Sequence, residues 1–220
     1  MSKHDPAWWQ PKLAALAAGA AGNDGAHDAS HLERVWRTAQ ALLKDHPEAN
    51  ALVVMAACYL HDLVNLPKND PERDQASRRS ARLARHQLGW MDFPPELLDG
   101  VAHAIEAHSY SAAIPADSIE AKIVQDADRI DALGAIGLAR VFYIGGQLGR
   151  PLAHADDPLA LDRPLDDRSY TLDHFAVKLA ALPGMMQTAA GRRLAERRVA
   201  LLMEFRERFA EEWLGRSPDV

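Results

Sequence analysis

Cysteine is almost absent from the 220 residues: Cys58 stands alone, so no disulfide within the chain is possible and nothing points to an oxidising compartment. Aromatic residues are scarce at 6 %. No repeat and no low-complexity tract is present, and no segment sustains the period-two alternation of a half-buried strand. The longest apolar run, Ala51 to Leu60, falls well short of the roughly 20 residues a bilayer-spanning helix needs. The first residues, MSKHDPAWWQ, lack the charged-then-apolar order of a secretory signal. The expectation is a cytoplasmic protein without membrane contact. Positive charge is in deficit: 25 basic against 31 acidic residues give a net charge of −6. That balance speaks against a nucleic-acid polymer as partner, while leaving room for a small basic pocket around one phosphorylated ligand.

Apolar material is plentiful, at 48 %. Its richness in Ala and Leu favours helices. Gly and Pro divide the chain into helical blocks. A first helix is expected over Pro6–Ala20, stopped by Gly22-Asn23-Asp24-Gly25. A second covers Ala29 to Lys44, with Leu32, Val35, Trp36, Ala39, Leu42 and Leu43 at helical spacing. Asn50 is placed to cap a third, running to about Val64 and apolar nearly all round, as a helix at the centre of a bundle should be. Asp70-Pro71 and Pro94-Pro95 read as helix openings, the latter helix ending near Ser109. Asp117 with Glu120 resembles a capping box for a helix through Leu133. Gly134, Gly137, Gly145, Gly146 and Gly149 are expected to break up the segment after Leu133. Pro151 to Asp167 reads as a surface loop, before helices at about Ser169–Leu182 and Gln187–Leu214. The fold class is all-α.

His61-Asp62 lies at the end of the apolar third segment. An ionised Asp buried there without a partner costs several kcal/mol, so something must compensate it. For an isolated His-Asp pair, an Arg partner and a carbonyl-bound His would suffice. Two further segments point elsewhere. His27-Asp28-Ala29-Ser30-His31 opens the second helix, with its two histidines four apart. In Val124-Gln125-Asp126-Ala127-Asp128-Arg129-Ile130-Asp131, Asp128 and Asp131 border an apolar stripe, whereas Asp126 reads as a solvated edge. Together these segments supply two imidazoles and two carboxylates. That set suits a divalent ion such as Mn²⁺, Fe²⁺, Zn²⁺ or Mg²⁺, and the two carboxylates offset its charge. An ion so held polarises a phosphoryl group and acidifies a water molecule.

The order His31 … His61-Asp62 … Asp128 resembles the H…HD…D signature of the HD-domain superfamily of metal-dependent phosphohydrolases. The stretches HDASHLERVW, ACYLHDLVNLPKN, AHAIEAHSYSA, KIVQDADRIDALGAIGLAR and LDHFAVKLAALPGMMQTAAGRRLAERR look like its bacterial stand-alone branch, over about Gly25 to Arg198. The resemblance implies an HD-domain helical bundle: one domain over residues 1–220, with a core of about 25–200 and a terminal helix packing on it at each end. It implies His31, His61, Asp62 and Asp128 as metal ligands and Mn²⁺ as the ion. It also implies hydrolysis of a (deoxy)nucleoside triphosphate to monophosphate and pyrophosphate, and a homodimer. A 5′-nucleotidase, a cyclic-nucleotide phosphodiesterase, a di-iron oxygenase and a non-catalytic nucleotide sensor are the other readings.

Other residues join as candidates. Lys68 and Asn69 come shortly after the His-Asp pair and can reach substrate phosphate or orient water, with Arg73 as a second phosphate contact. His108, at a helix end, and His103 are candidates for proton transfer. His27 is a candidate for substrate or a second metal, and Asp131 for orienting a ligand histidine. His174 and Lys178, four apart, match the branch's segment and complete the expected phosphate pocket. Cys58 reads as inert packing.

Overall fold

The computed structural model describes residues 4–20, 29–66 and 70–216. Within them the chain is helical with no strand, as the composition implied. It forms two compact units, Met1–Asp128 and Arg129–Val220.

The first unit is built around an apolar rod. Helices α1 (Pro6–Ala20), α2 (Ala29–Leu43), α4 (Ala76–Trp90) and α5 (Leu98–His108) pack against α3 (Ala51–Leu60), whose residues from Leu52 to Leu60 are all buried. A helix with no wet face has to sit at the centre. Trp9 and Leu13 of α1, Val35 and Ala39 of α2, and Ile105 of α5 are fully buried with it. Asn50 caps α3 as expected, its side chain accepting from the amides of Leu52 and Val53.

Several boundaries differ from the sequence reading, each because a backbone group finds another partner. Helix α3 stops at Leu60 rather than Val64, and the Val64 amide instead donates to the Ser80 hydroxyl at 3.0 Å. Asp70 caps no α-helix; its carboxylate accepts from the Glu72 amide in a turn before the 3₁₀ segment Arg73–Gln75. Pro95–Leu97 is also a 3₁₀ turn, ahead of α5. The cap of α6 (Ile119–Asp131) is Ser118, whose hydroxyl accepts from the Ala121 amide. Glu120 turns away to accept the Asn50 amide at 2.9 Å, tying the start of α6 to the start of α3. Asp126 is fully buried rather than solvated.

In the second unit, α7 (Gly134–Gln147) runs through the glycines expected to break it. The glycines answer to space as much as to flexibility. Gly134 sits at φ 72° where α7 begins, and a Cβ on Gly137 would fall 2.1 Å from the Ala132 carbonyl oxygen. The helix expected over Ser169–Leu182 shrinks to α8 (Asp173–Val177) and a 3₁₀ segment, Leu179–Met185. The amides of Thr171 and Leu172 donate to the carbonyls of Pro151 and Leu152, so no α-ladder can start earlier. Arg163 grips the buried Asp173 carboxylate with both terminal nitrogens, at 2.6 and 2.8 Å. Helix α9 (Ala189–Trp213), capped by Thr188, packs on α7 and α8. Rings of Phe142, Phe175, Phe205 and Phe209 gather between them.

Candidate metal centre

Three helix ends and one helix side bring the site together. His31 lies in the first turn of α2. His61 is the residue after α3, Asp62 comes next, and His108 closes α5. Asp128 projects from α6. The ends of α3 and α5 carry the negative poles of their helices, which favours a cation beside them.

The polar atoms crowd. His31 Nε2 stands 3.3 Å from His61 Nε2 and 3.4 Å from Asp128 Oδ1. His61 Nε2 lies 3.7 Å from Asp128 Oδ1 and 3.6 Å from Asp62 Oδ2. His108 Nε2 is 3.8 Å from Asp62 Oδ1. Two groups therefore form, His31/His61/Asp128 and His61/Asp62/His108, sharing His61. The three imidazoles are buried, and both carboxylates are half-buried.

Tautomers are set by the partners of the other ring nitrogens. His61 Nδ1–H donates to the Cys58 carbonyl at 2.9 Å, and His108 Nδ1–H to the Ile105 carbonyl at 2.6 Å. Both acceptors are carbonyls left over at a helix end, three residues before the histidine. Each ring consequently turns a bare Nε2 lone pair toward the carboxylates. A cation among these atoms satisfies what they cannot satisfy for one another. Metal–ligand bonds of 2.0–2.2 Å place neighbouring donors about 2.8–3.6 Å apart, close to the separations here, so the residues fit a divalent ion. His61 has one free nitrogen for both groups, which points to a single centre.

Charge obeys the same logic. Burial holds the His61 pKa below its ordinary value against the pull of Asp62, leaving a neutral ligand. Burial pushes the Asp128 carboxyl up, but the His31 hydrogen bond and the His61 imidazole outweigh it and keep the group well below the usual range. At Asp62, burial is likewise outweighed, by His61 and His108. Cys58 is buried and its thiol is pushed far up by desolvation, in keeping with inert packing.

Of the remaining candidates, His108 joins the cluster, while His103 accepts from the Asp117 amide at 3.2 Å, in the connection from α5 to α6. Arg73 donates to the Leu66 carbonyl. Asp131 is buried and pairs with Arg140 at 2.9 Å in the second unit. His174 Nδ1 lies 2.8 Å from Asp167 Oδ2, and Lys178 is exposed at the end of α8; both belong to the second unit. His27, Lys68 and Asn69 lie outside the described residues. Sequence reasoning foresaw a carbonyl-bound His61 only as the alternative to a metal site; the Cys58 and Ile105 carbonyls instead orient rings whose other nitrogens face the carboxylates.

Residues 28–133 match the model of the HD domain family. Bacillus subtilis YpgQ is 33 % identical over 183 residues, covering 81 % of this chain and 80 % of YpgQ. A crystal structure of YpgQ in complex with ADP superposes with a TM-score of 0.73 at 29 % identity, covering 94 % of this chain and 95 % of that one. An HD-superfamily hydrolase from Bacillus thuringiensis gives a TM-score of 0.74 at 30 % identity, covering 95 % and 98 %. The helical fold, the sequence match and the metal-ready His/Asp cluster together place this chain in the HD-domain superfamily.

Proposed function

We propose that the chain is a metal-dependent phosphohydrolase cleaving a nucleoside triphosphate into the monophosphate and pyrophosphate. The observation that carries this reading is the pair of groups His31/His61/Asp128 and His61/Asp62/His108 that share His61, which we read as one centre. The relative solved with ADP supports a nucleotide as the ligand. A bound divalent ion, with Mn²⁺ suited to this mixed nitrogen and oxygen set, supplies Lewis acidity toward the phosphoryl group and toward water.

The chain's own residues do the rest. Asp62 and Asp128 offset the positive charge and stay ionised at neutral pH. His31 and His61 hold the centre from two helix ends, with the His61 ring locked by the Cys58 carbonyl. His108, locked by the Ile105 carbonyl, presents the bare Nε2 toward Asp62, and its role in this reading is to take a proton from the attacking water on that nitrogen and return it to the leaving oxygen. Arg73, Lys68, Asn69 and His27 stand close to these ligands in sequence and are assigned to the phosphates. The two-iron reading takes His103 and His108 as the extra ligand pair; His108 lies beside Asp62, while the His103 ring is engaged with the Asp117 amide.

The test is a Mn²⁺-supplemented panel of nucleotides with products separated by ion-exchange chromatography. Monophosphate with pyrophosphate is the expected result. Nucleoside with phosphate from a monophosphate supports a 5′-nucleotidase instead, and ring opening of a cyclic nucleotide supports a phosphodiesterase. Absence of turnover on any phosphorylated compound contradicts the proposal.

A further inference from the structure

Gln125 lies on α6, three residues before Asp128, and is almost fully buried. Its side-chain amide donates to the Ala107 carbonyl at 2.6 Å. Ala107 immediately precedes His108 in the last turn of α5, where carbonyls have no partner within the helix. The neighbouring orphan, the Ile105 carbonyl, accepts from His108 Nδ1–H. Two side chains thus close the end of α5: the histidine of the site and a glutamine from the helix that carries Asp128. The carbonyl oxygen of the same Gln125 amide is buried and finds no hydrogen-bond partner among the described residues. A buried acceptor without a partner is unfavourable, so it is the donating end of this amide that anchors it.

We infer that Gln125 is a positioning residue for His108. It fixes the last turn of α5 relative to α6, and with it the place of His108 Nε2 beside the Asp62 carboxylate. A neutral amide suits this task. It donates to a carbonyl without adding charge beside the carboxylates of the site. A Glu of the same shape brings only acceptors when ionised, and a Met of similar length brings none. The inference rests on the proposed role of His108 in hydrolysis, but its structural half stands apart from that role.

The experiment is a double-mutant cycle on full-length protein loaded with Mn²⁺, comparing wild type, Gln125→Met, His108→Ala and the double variant, with Gln125→Glu as a second probe should the Met variant not fold. The expected result is a loss in kcat of about tenfold for Gln125→Met with KM nearly unchanged. Once His108 is Ala, the same change has no further effect. An equal loss in both backgrounds, or an undiminished kcat in Gln125→Met, overturns the inference. A second arm needs no turnover: NMR of the metal-free protein with ¹⁵N-labelled histidine. Gln125→Met should speed solvent exchange of the His108 Nδ1–H while leaving that of His61 unchanged. Unaltered exchange at His108 overturns the inference even if the wild type hydrolyses none of the nucleotides, in which case the proposed function has failed separately.

Discussion

A histidine at the end of a helix has two nitrogens with different duties. At His61 and His108 the Nδ1–H closes a backbone carbonyl three residues back, so the Nε2 lone pair is committed to the site before any ion arrives. The shifted pKa values dictate the pH dependence. The folded pKa of His61 lies below its unfolded value of about 6.5. The unfolded chain therefore takes up more protons below that pH. The contribution of His61 to stability is complete above about pH 6.5 and is lost as pH falls through the folded pKa. Asp62 and Asp128, with lowered pKa values, act in the same direction at lower pH, below the ordinary carboxylate value of about 4. Protons also compete directly with the metal for these groups. Mn²⁺ affinity is expected to stay constant from about pH 8 down to about 6.5 and to fall only at lower pH, as the depressed folded pKa of His61 is approached. Calorimetric titrations at several pH values check this, and an affinity that rises on acidification contradicts the ligand assignment.

At the scale of the element, helix ends decide what the sequence reveals. Asn50 was legible because a capping residue there stands directly before an unbroken apolar run. Replacing it with Ala is expected to cost about 1 kcal/mol, read from the urea midpoint at constant slope. The start of α6 was less legible because Asp117 and Ser118 are both capping residues and Glu120 completes the box for the wrong one. The Ser118 hydroxyl accepts from the Ala121 amide, and Glu120 serves the Asn50 amide. Ser118→Ala should therefore destabilise by about 0.5–2 kcal/mol, and Asp117→Ala by less than about 0.5 kcal/mol. The reverse order in chemical denaturation contradicts this cap. Helix α8 was overread for a different reason. The amides just ahead of it pair with Pro151 and Leu152, some twenty residues earlier in the chain, and such a partner leaves no trace in a local pattern. The glycines of α7 misled in the opposite sense, since a tight contact demands the same residue as a break. Gly137→Ala is expected to cost about 1–3 kcal/mol through overpacking against the Ala132 carbonyl, seen as a lower Tm in calorimetry; an unchanged Tm contradicts the contact.

For the whole molecule, residues distant in sequence meet because α3 is apolar on every side and draws α1, α2, α4 and α5 around it. His31, His61, Asp62 and Asp128 were recognisable from residue type and order. Their convergence within hydrogen-bonding and coordination distances, and the place of His108 and Gln125 beside them, required the packing. The central claim is that these side chains form one centre for one divalent ion. Electron paramagnetic resonance of free Mn²⁺ during titration of the metal-free protein tests it most directly, comparing wild type with Asp62→Ala after circular dichroism has shown both to be folded. Saturation at one ion per chain in the wild type, with no binding by the variant over the same range, is the predicted result; equal uptake by the two proteins contradicts the account.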